Sequence, residues 1–365
     1  MIRRRLVKPD GRALVLYSDV ELPESIEAPQ PRGATVVPEP ELRWHPLRGE
    51  WVAFARHRQD RTFLPPPEYD PLAPTVPGRE PTELPDAPWK VAVFENRFPS
   101  LSLHAPPPPA NIVETLPGIG ACEVVVYTPD TQRHLGALPL EHVELLIDVW
   151  ADRTAELGAI DAIQYVMPFE NRGVEVGATL HHPHGQIYAY PFVPPVAARE
   201  QEQERAHWER HRRGLLESHI EMELKDAKRV LYAGDRVIAF VPAFARYPYE
   251  VWIAPIRAVP ALPALDAADR ADFARALKVV LLKYDGLFGR PFPYVMVIHQ
   301  APTDGAAHPE SHLHVEFYPA YRTRDKLKYL AGTEIGAGMF TNDALPEQKA
   351  AELQAIAVEL GAARA

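Results

Sequence analysis

Apolar and polar positions along the chain predict the same succession of elements twice. Short runs with strand character come first, WVAFA (51–55), WKVAVFENRF (89–98) and CEVVVYTP (122–129). A helical period follows at about 141–157, where Val143, Leu146, Ile147, Trp150 and Leu157 fall on one face. Two more strands are expected at 163–173 and 179–192. Residues 196–226 are charged, with few apolar anchors (Trp208, Leu215, Ile220, Leu224), and read as one long, mostly solvated helix. The order then returns. Strands at 235–244 and 249–256 precede a helix over 266–288, with Asp266 or Asp269 as its N-cap and Phe273, Leu277, Val280, Leu281 and Tyr284 along one side. Strands at 294–300 and 311–319 follow, and a final helix is expected near 346–361, with Pro346 at its start.

The duplication extends to residues. YVMPFENRG (165–173) aligns with YVMVIHQAP (294–302), HPHGQIY (182–188) with HLHVEFY (312–318), and CEVVVYTP with YEVWIAPI (249–256). Repetition at long period marks repeated supersecondary units. The fold class expected is α+β, with two tandem domains, 1–195 and 196–365, each a mostly antiparallel sheet with packed helices.

Composition adds limits. With 46% hydrophobic and 24% charged residues the chain is ordinary globular material, and its 365 residues suit two domains. The 40 prolines crowd between residues 23 and 117 and predict surface loops, with disorder as the alternative for 19–40 and 66–88. A net charge of −10 argues against a nucleic-acid or membrane partner, so any phosphate must meet a local basic cluster. The one cysteine, Cys122, excludes an internal disulfide and any Cys-x-x-Cys motif. MIRRRLVKPDG lacks the apolar run of a signal peptide, and no window is long enough to span a bilayer. A cytoplasmic location is expected.

Chemistry concentrates in HPHGQ. In a strand, His182, His184 and Gln186 share one face, and Gly185 lets a ligand or another backbone approach closely. Two imidazoles and an amide suit a nucleophile with orienting groups; a polar face that binds only water is the alternative. The second copy sets His312, His314 and Glu316 on one face, with His299 ending the preceding strand. That set suits a divalent metal, against the alternative of hydrogen-bonded structural histidines.

HHPHGQIYAYPF (181–192) resembles the active-site strand of the galactose-1-phosphate uridylyltransferase family, in the histidine-triad superfamily. The likeness extends to RWHPLRGEWVAFARHRQDR (43–61), VFENRFPSL (93–101), FENRG (169–173), HLHVEFYP (312–319) and LKYLAGTE (327–334). It implies two histidine-triad-like domains and a ping-pong enzyme. His184 would attack the α-phosphorus of UDP-glucose, release glucose 1-phosphate and hold a uridylyl group for galactose 1-phosphate to take. His182 would help orient His184. Gln186 stands where related hydrolases carry a third histidine, and an amide cannot serve as general acid or base.

The resemblance also implies roles residue by residue. Arg58 and Arg61 match arginines that approach the nucleotide phosphates, and Phe94 and Asn96 match uracil and ribose contacts. Arg97 replaces an acidic ribose-binding residue, while Asn171 and Thr179 match residues around the phosphates. Lys328 and Glu334 match contacts to the sugar phosphate made from the neighbouring subunit, which implies a homodimer with shared active sites; Thr333 stands where the family has tyrosine. Some members bind zinc through two cysteines and two histidines, of which only His182 has a clear match here. A second family site, one glutamate and three histidines, matches Glu200, His299, His314 and Glu316, with His312 as a substitute for the changed last position. A structural zinc or iron is expected there, and no organic cofactor. The rival function is a phosphorylase of nucleoside-diphosphate sugars or dinucleoside polyphosphates, using the same histidine with phosphate as acceptor. A hydrolase and a catalytically silent nucleotide-binding module are further alternatives.

Overall fold

The computed structural model describes residues 1–31, 36–60, 65 and 69–360. Its N-terminal half contains β1 (Ile2–Val7), β2 (Ala13–Ser18), β3 (Glu41–His45), β4 (Glu50–Phe54), β5 (Val91–Glu95), β6 (Thr115–Pro117), β7 (Ala121–Val126), α1 (Leu140–Gly158), β8 (Tyr165–Arg172) and β9 (His184–Tyr190). There follow α2 (Pro195–His211), α3 (Leu215–Asp226), β10 (Val230–Ala233), β11 (Val237–Phe240), β12 (Val251–Pro255), α4 (Ala267–Phe288), β13 (Tyr294–His299) and β14 (His314–Pro319). The short strands β15 (Tyr321–Thr323) and β16 (Lys326–Leu327) and the helix α5 (Pro346–Gln354) are the last of the described strands and α-helices.

Eleven strands form one sheet in the order β1-β2-β5-β7-β9-β8-β13-β14-β12-β11-β10, and its ladders are antiparallel. The duplication is visible in that order. Outward from the central pair run β8, β9, β7, β5 on one side and β13, β14, β12, β11 on the other. The half-sheets join where Tyr294 faces Arg172 and Val297 faces Phe169. On one side of the sheet α1 and α4 bury Leu146, Ile147 and Trp150 with Phe273, Leu277 and Leu281, against Val125, Val166, Ile187, Met296 and Ile298 of the strands. The opposite side is covered in the N-terminal half by Leu72, Leu84 and Trp89, which pack on Leu16, Ala92, Phe94, Val124 and Val126. The proline-rich segment is therefore an ordered cover where it is described, and the site lies beneath it.

Three expectations need correction. The charged stretch 196–226 is two helices, because Arg212 adopts a left-handed backbone (φ 53°) that ends α2 before Gly214 starts α3. The last helix ends at Gln354, well short of 361. An N-terminal hairpin, with Ile2 opposite Ser18 and Val7 opposite Ala13, adds two strands beyond those expected. Asp266 caps α4 as expected, accepting the Asp269 amide at 2.8 Å. No helix among the described residues is long and apolar enough to cross a membrane.

Candidate active site

β9 lies between β7 and β8, with Val126 opposite His184 and both Val124 and Phe169 opposite Gln186. Gly185, Ile187 and Ala189 are buried on the helix side of the sheet, while His184, Gln186 and Tyr188 are half-buried and line a cavity of about 340 Å³ on the other. A glycine is required at 185 by space alone: a Cβ there would meet the Tyr127 hydroxyl at 2.1 Å and the Phe169 carbonyl oxygen at 2.8 Å.

His184 Nδ1 donates to the main-chain carbonyl of His182 at 2.7 Å. That bond assigns the proton to Nδ1 and leaves the lone pair on Nε2. Burial lowers the pKa of the ring against the opposing pull of the carbonyl, so the imidazole is neutral at physiological pH. A neutral, oriented imidazole in a concave site is a competent nucleophile.

Around it the chain assembles most of the expected residues. Arg58, Phe94, Asn96, Arg97, Asn171, Thr179, His184 and Gln186 all line the cavity. Arg58 projects from a 3-10 turn (Arg56–Asp60) and donates to the Phe98 carbonyl at 2.8 Å. Asn96 Oδ1 accepts the Phe98 amide at 2.8 Å, which shapes the loop after β5. Arg97 lies over the Phe98 ring, 5.7 Å from its centroid. The turn after β8 uses Gly173 and Gly177 at φ 97° and 81° to bring Ala178, Thr179 and Leu180 over the cavity. Arg61 lies outside the described residues.

Other expected residues lie elsewhere. His182 lies just before β9 begins and does not line the cavity; its ring turns to the Thr128 carbonyl (2.8 Å) and to the Asp70 carboxylate of the covering segment (2.7 Å). Its contact with His184 is made by its main chain. Lys328 and Glu334 sit on an exposed loop outside the cavity, paired at 3.6 Å, with Lys328 donating to the Thr341 carbonyl at 2.6 Å. Amides of that loop hold the Glu334 carboxyl down at about 2.

Two contributors escaped sequence reasoning. Tyr188 edges Phe169 at 5.1 Å and receives Arg58 Nη1 at 3.4 Å; its place two residues after Gln186 on the same strand was the available signal. Glu83, buried, joins the cavity lining from the covering segment and is held by Lys8 (2.7 Å) and Arg12 (2.9 Å) of the hairpin turn. No local pattern signalled that contact.

The C-terminal copy repeats the backbone bond, with His314 Nδ1 donating to the His312 carbonyl at 2.9 Å. Donor atoms of Glu200, His299 and His314 lie within 4.8 Å of one another. His314 Nε2 is buried with no hydrogen-bond partner, and the Glu316 carboxylate is 3.5 Å from it and 4.0 Å from His299 Nε2. An orphaned imidazole nitrogen among carboxylates fits a divalent ion. His312 stands apart from this group, its Nε2 donating to the Pro255 carbonyl at 2.8 Å.

Known proteins share this plan. Residues 34–194 match the model of the galactose-1-phosphate uridyl transferase N-terminal domain, and 200–363 that of the C-terminal domain. A galactose-1-phosphate uridylyltransferase of Thermotoga maritima is 41% identical over 88% of this chain and 99% of its own. The Rattus norvegicus protein of the same name is 33% identical, over 86% and 87%. A solved uridylyltransferase superposes with a TM-score of 0.77 at 34% identity, covering 86% of this chain and 97% of its own. An ADP-glucose phosphorylase from Arabidopsis thaliana, solved with bound ADP-glucose, gives 0.65 at 25% identity, over 88% and 100%. Matched along nearly its whole length, this chain belongs to the galactose-1-phosphate uridyl transferase family.

Proposed function

We propose that the chain moves UMP from UDP-glucose to galactose 1-phosphate through two displacements at His184. The observation that carries this is the Nδ1 bond of His184 to the His182 carbonyl, which leaves Nε2 as the basic atom of a residue lining the cavity. In the first step Nε2 bonds to the α-phosphorus and the bond to the bridging oxygen breaks, releasing glucose 1-phosphate. In the second, a phosphate oxygen of galactose 1-phosphate bonds to phosphorus, the P–N bond breaks and neutral His184 returns. Arg58 supplies local positive charge, and Asn171, Thr179 and Gln186 provide hydrogen bonds to phosphoryl oxygens. Arg61 would add a second arginine. Phe94, Asn96 and Arg97 hold the nucleoside. Gln186 cannot act as a general acid or base, which protects the intermediate from water.

The acceptor requires a second copy of the chain. Lys328 and Glu334 lie outside the cavity, on a loop whose Tyr329, Ile335 and Met339 are 75%, 63% and 62% exposed. A homodimer in which that loop completes the partner's site accounts for both facts. Glu200, His299 and His314, with Glu316 adjacent, would hold a zinc or iron ion that ties α2 to β13 and β14 and takes no part in the transfer. The location is cytoplasmic, and the partners are the two sugar nucleotides and their sugar phosphates.

The test is product formation by purified enzyme. UDP-glucose with galactose 1-phosphate should yield UDP-galactose and glucose 1-phosphate. The likeness to the ADP-glucose phosphorylase makes ADP-glucose with inorganic phosphate the decisive comparison: faster turnover there would replace this assignment with a phosphorylase.

A further inference from the structure

We propose that Asp70 is a positioning residue for the nucleophile, acting through His182. This rests on His184 being the nucleophile. Three bonds run in series: Asp70 Oδ2 to His182 Nδ1 at 2.7 Å, His182 Nε2 to the Thr128 carbonyl at 2.8 Å, and the His182 carbonyl to His184 Nδ1 at 2.7 Å. The carbonyl that fixes the tautomer of His184 thus belongs to a residue whose ring is tied at both nitrogens.

The tie is needed because the sheet ladder does not reach His182. Pairing between β7 and β9 ends at Val126 opposite His184, and one further bond, from the Tyr127 amide to the Pro183 carbonyl at 3.2 Å, closes it. Beyond that point the side chain is the anchor. Asp70 is itself prepared for this work. Its Oδ1 accepts the Leu72 amide at 2.9 Å and its carbonyl accepts the Ala73 amide at 3.2 Å, bonds that fix the direction of Oδ2 independently of His182. Burial works to raise the Asp70 carboxyl, but the His182 bond and the two amides outweigh it and hold the group below the ordinary carboxyl value.

The second copy in the same chain is an internal control. There His312 Nε2 meets the Pro255 carbonyl at 2.8 Å and the His312 carbonyl receives His314 Nδ1 at 2.9 Å, yet His312 Nδ1 has no hydrogen-bond partner. The histidine beside the nucleotide-sized cavity has a carboxylate; its counterpart has none among the described residues. Nor do the residues here fit the zinc that some family members hold at the first histidine. Both nitrogens of His182 already face oxygen atoms, and the only cysteine is buried behind Tyr188, its thiol pushed up to about 11 by burial. A carboxylate does the orienting that a metal does in those relatives.

The test uses rapid-quench rates of uridylyl-enzyme formation from UDP-glucose in the full-length protein. Asp70→Ala should slow that step about 10- to 100-fold, as loss of an orienting partner commonly does. Affinity for UDP, which does not depend on the attacking nitrogen, should stay within about twofold, near the precision of such assays. Asp70→Asn should recover most of the rate, because its amide can donate to Nδ1 while Nε2–H keeps the Thr128 carbonyl. Should Asp70→Ala not fold, Asp70→Ser carries the same expectation, since its hydroxyl still takes the Leu72 amide but leaves Nδ1 bare. Wild-type rates in both truncations, or UDP affinity falling in step with the rate, would overturn the proposal. A wild type that forms no adduct would instead remove the assignment of His184 itself.

Discussion

Gly185→Ala tests how the nucleophile is seated. The added Cβ would stand 2.1 Å from the Tyr127 hydroxyl, 3.0 Å from its ring carbon Cζ and 2.8 Å from the Phe169 carbonyl oxygen. None of these can yield easily. Tyr127 is fully buried with its ring against Trp150, and Phe169 belongs to β8, a paired central strand. Relief must come from β9 moving away from the helices by roughly 1.5 Å, the shortfall from ordinary contact. Overpacking of this kind costs about 1–3 kcal/mol. Because His184 is the next residue, the same displacement should reduce transfer about 100-fold, the scale expected for a misplaced reacting group. Thermal melts and single-turnover uridylylation read the two effects. Tyr127→Phe deletes the nearest atom, so the double variant should regain part of both losses, a coupling of about 0.5–3 kcal/mol for residues in contact. A Gly185→Ala enzyme with native melting and native rate would refute the reasoning, as would strict additivity in the double variant.

Further expectations follow from neighbouring groups. Gln186→His places a proton donor and acceptor beside the intermediate and should raise UDP-glucose hydrolysis at least about tenfold, a modest share of what general acid–base catalysis supplies; coupled detection of UMP release checks this. Burial pushes Glu170 up to about 7 despite Arg172 nearby. The folded chain therefore holds a proton that the unfolded chain releases at lower pH, so this stability is full below the ordinary value of 4.5 and is lost as pH rises through about 7. Glu170→Gln should accordingly melt higher, relative to wild type, at about pH 8 than at about pH 5; an equal offset at both would contradict it. Elemental analysis of protein purified without chelator should find zinc or iron, lost in His314→Ala with a lower melting temperature, and its absence from wild type would remove the proposed ion.

Much of this was legible locally. Period-two alternation marked β9 and β14, and a helical period with an acidic cap marked α4, because these depend on residues a few places apart. The three consecutive arginines of IRRRLV (2–7) hid β1, an edge strand with one face in solvent. The break at Arg212 carried no glycine at the left-handed position, so nothing local announced it. Distant pairings were out of reach. The sequence held no sign that β8 and β13 would fuse the two halves into one sheet, or that Asp70 would cross 112 positions to reach His182. That the His182 ring would bond Asp70 rather than line the cavity beside His184 depended on the same distant segment.

The most direct measurement is the intact mass of the protein after brief incubation with UDP-glucose, beside a His184→Ala control. The wild type should carry one uridylyl group and the variant none, and galactose 1-phosphate should discharge it as UDP-galactose. A wild type without adduct, or an adduct that persists in His184→Ala, would contradict transfer through His184.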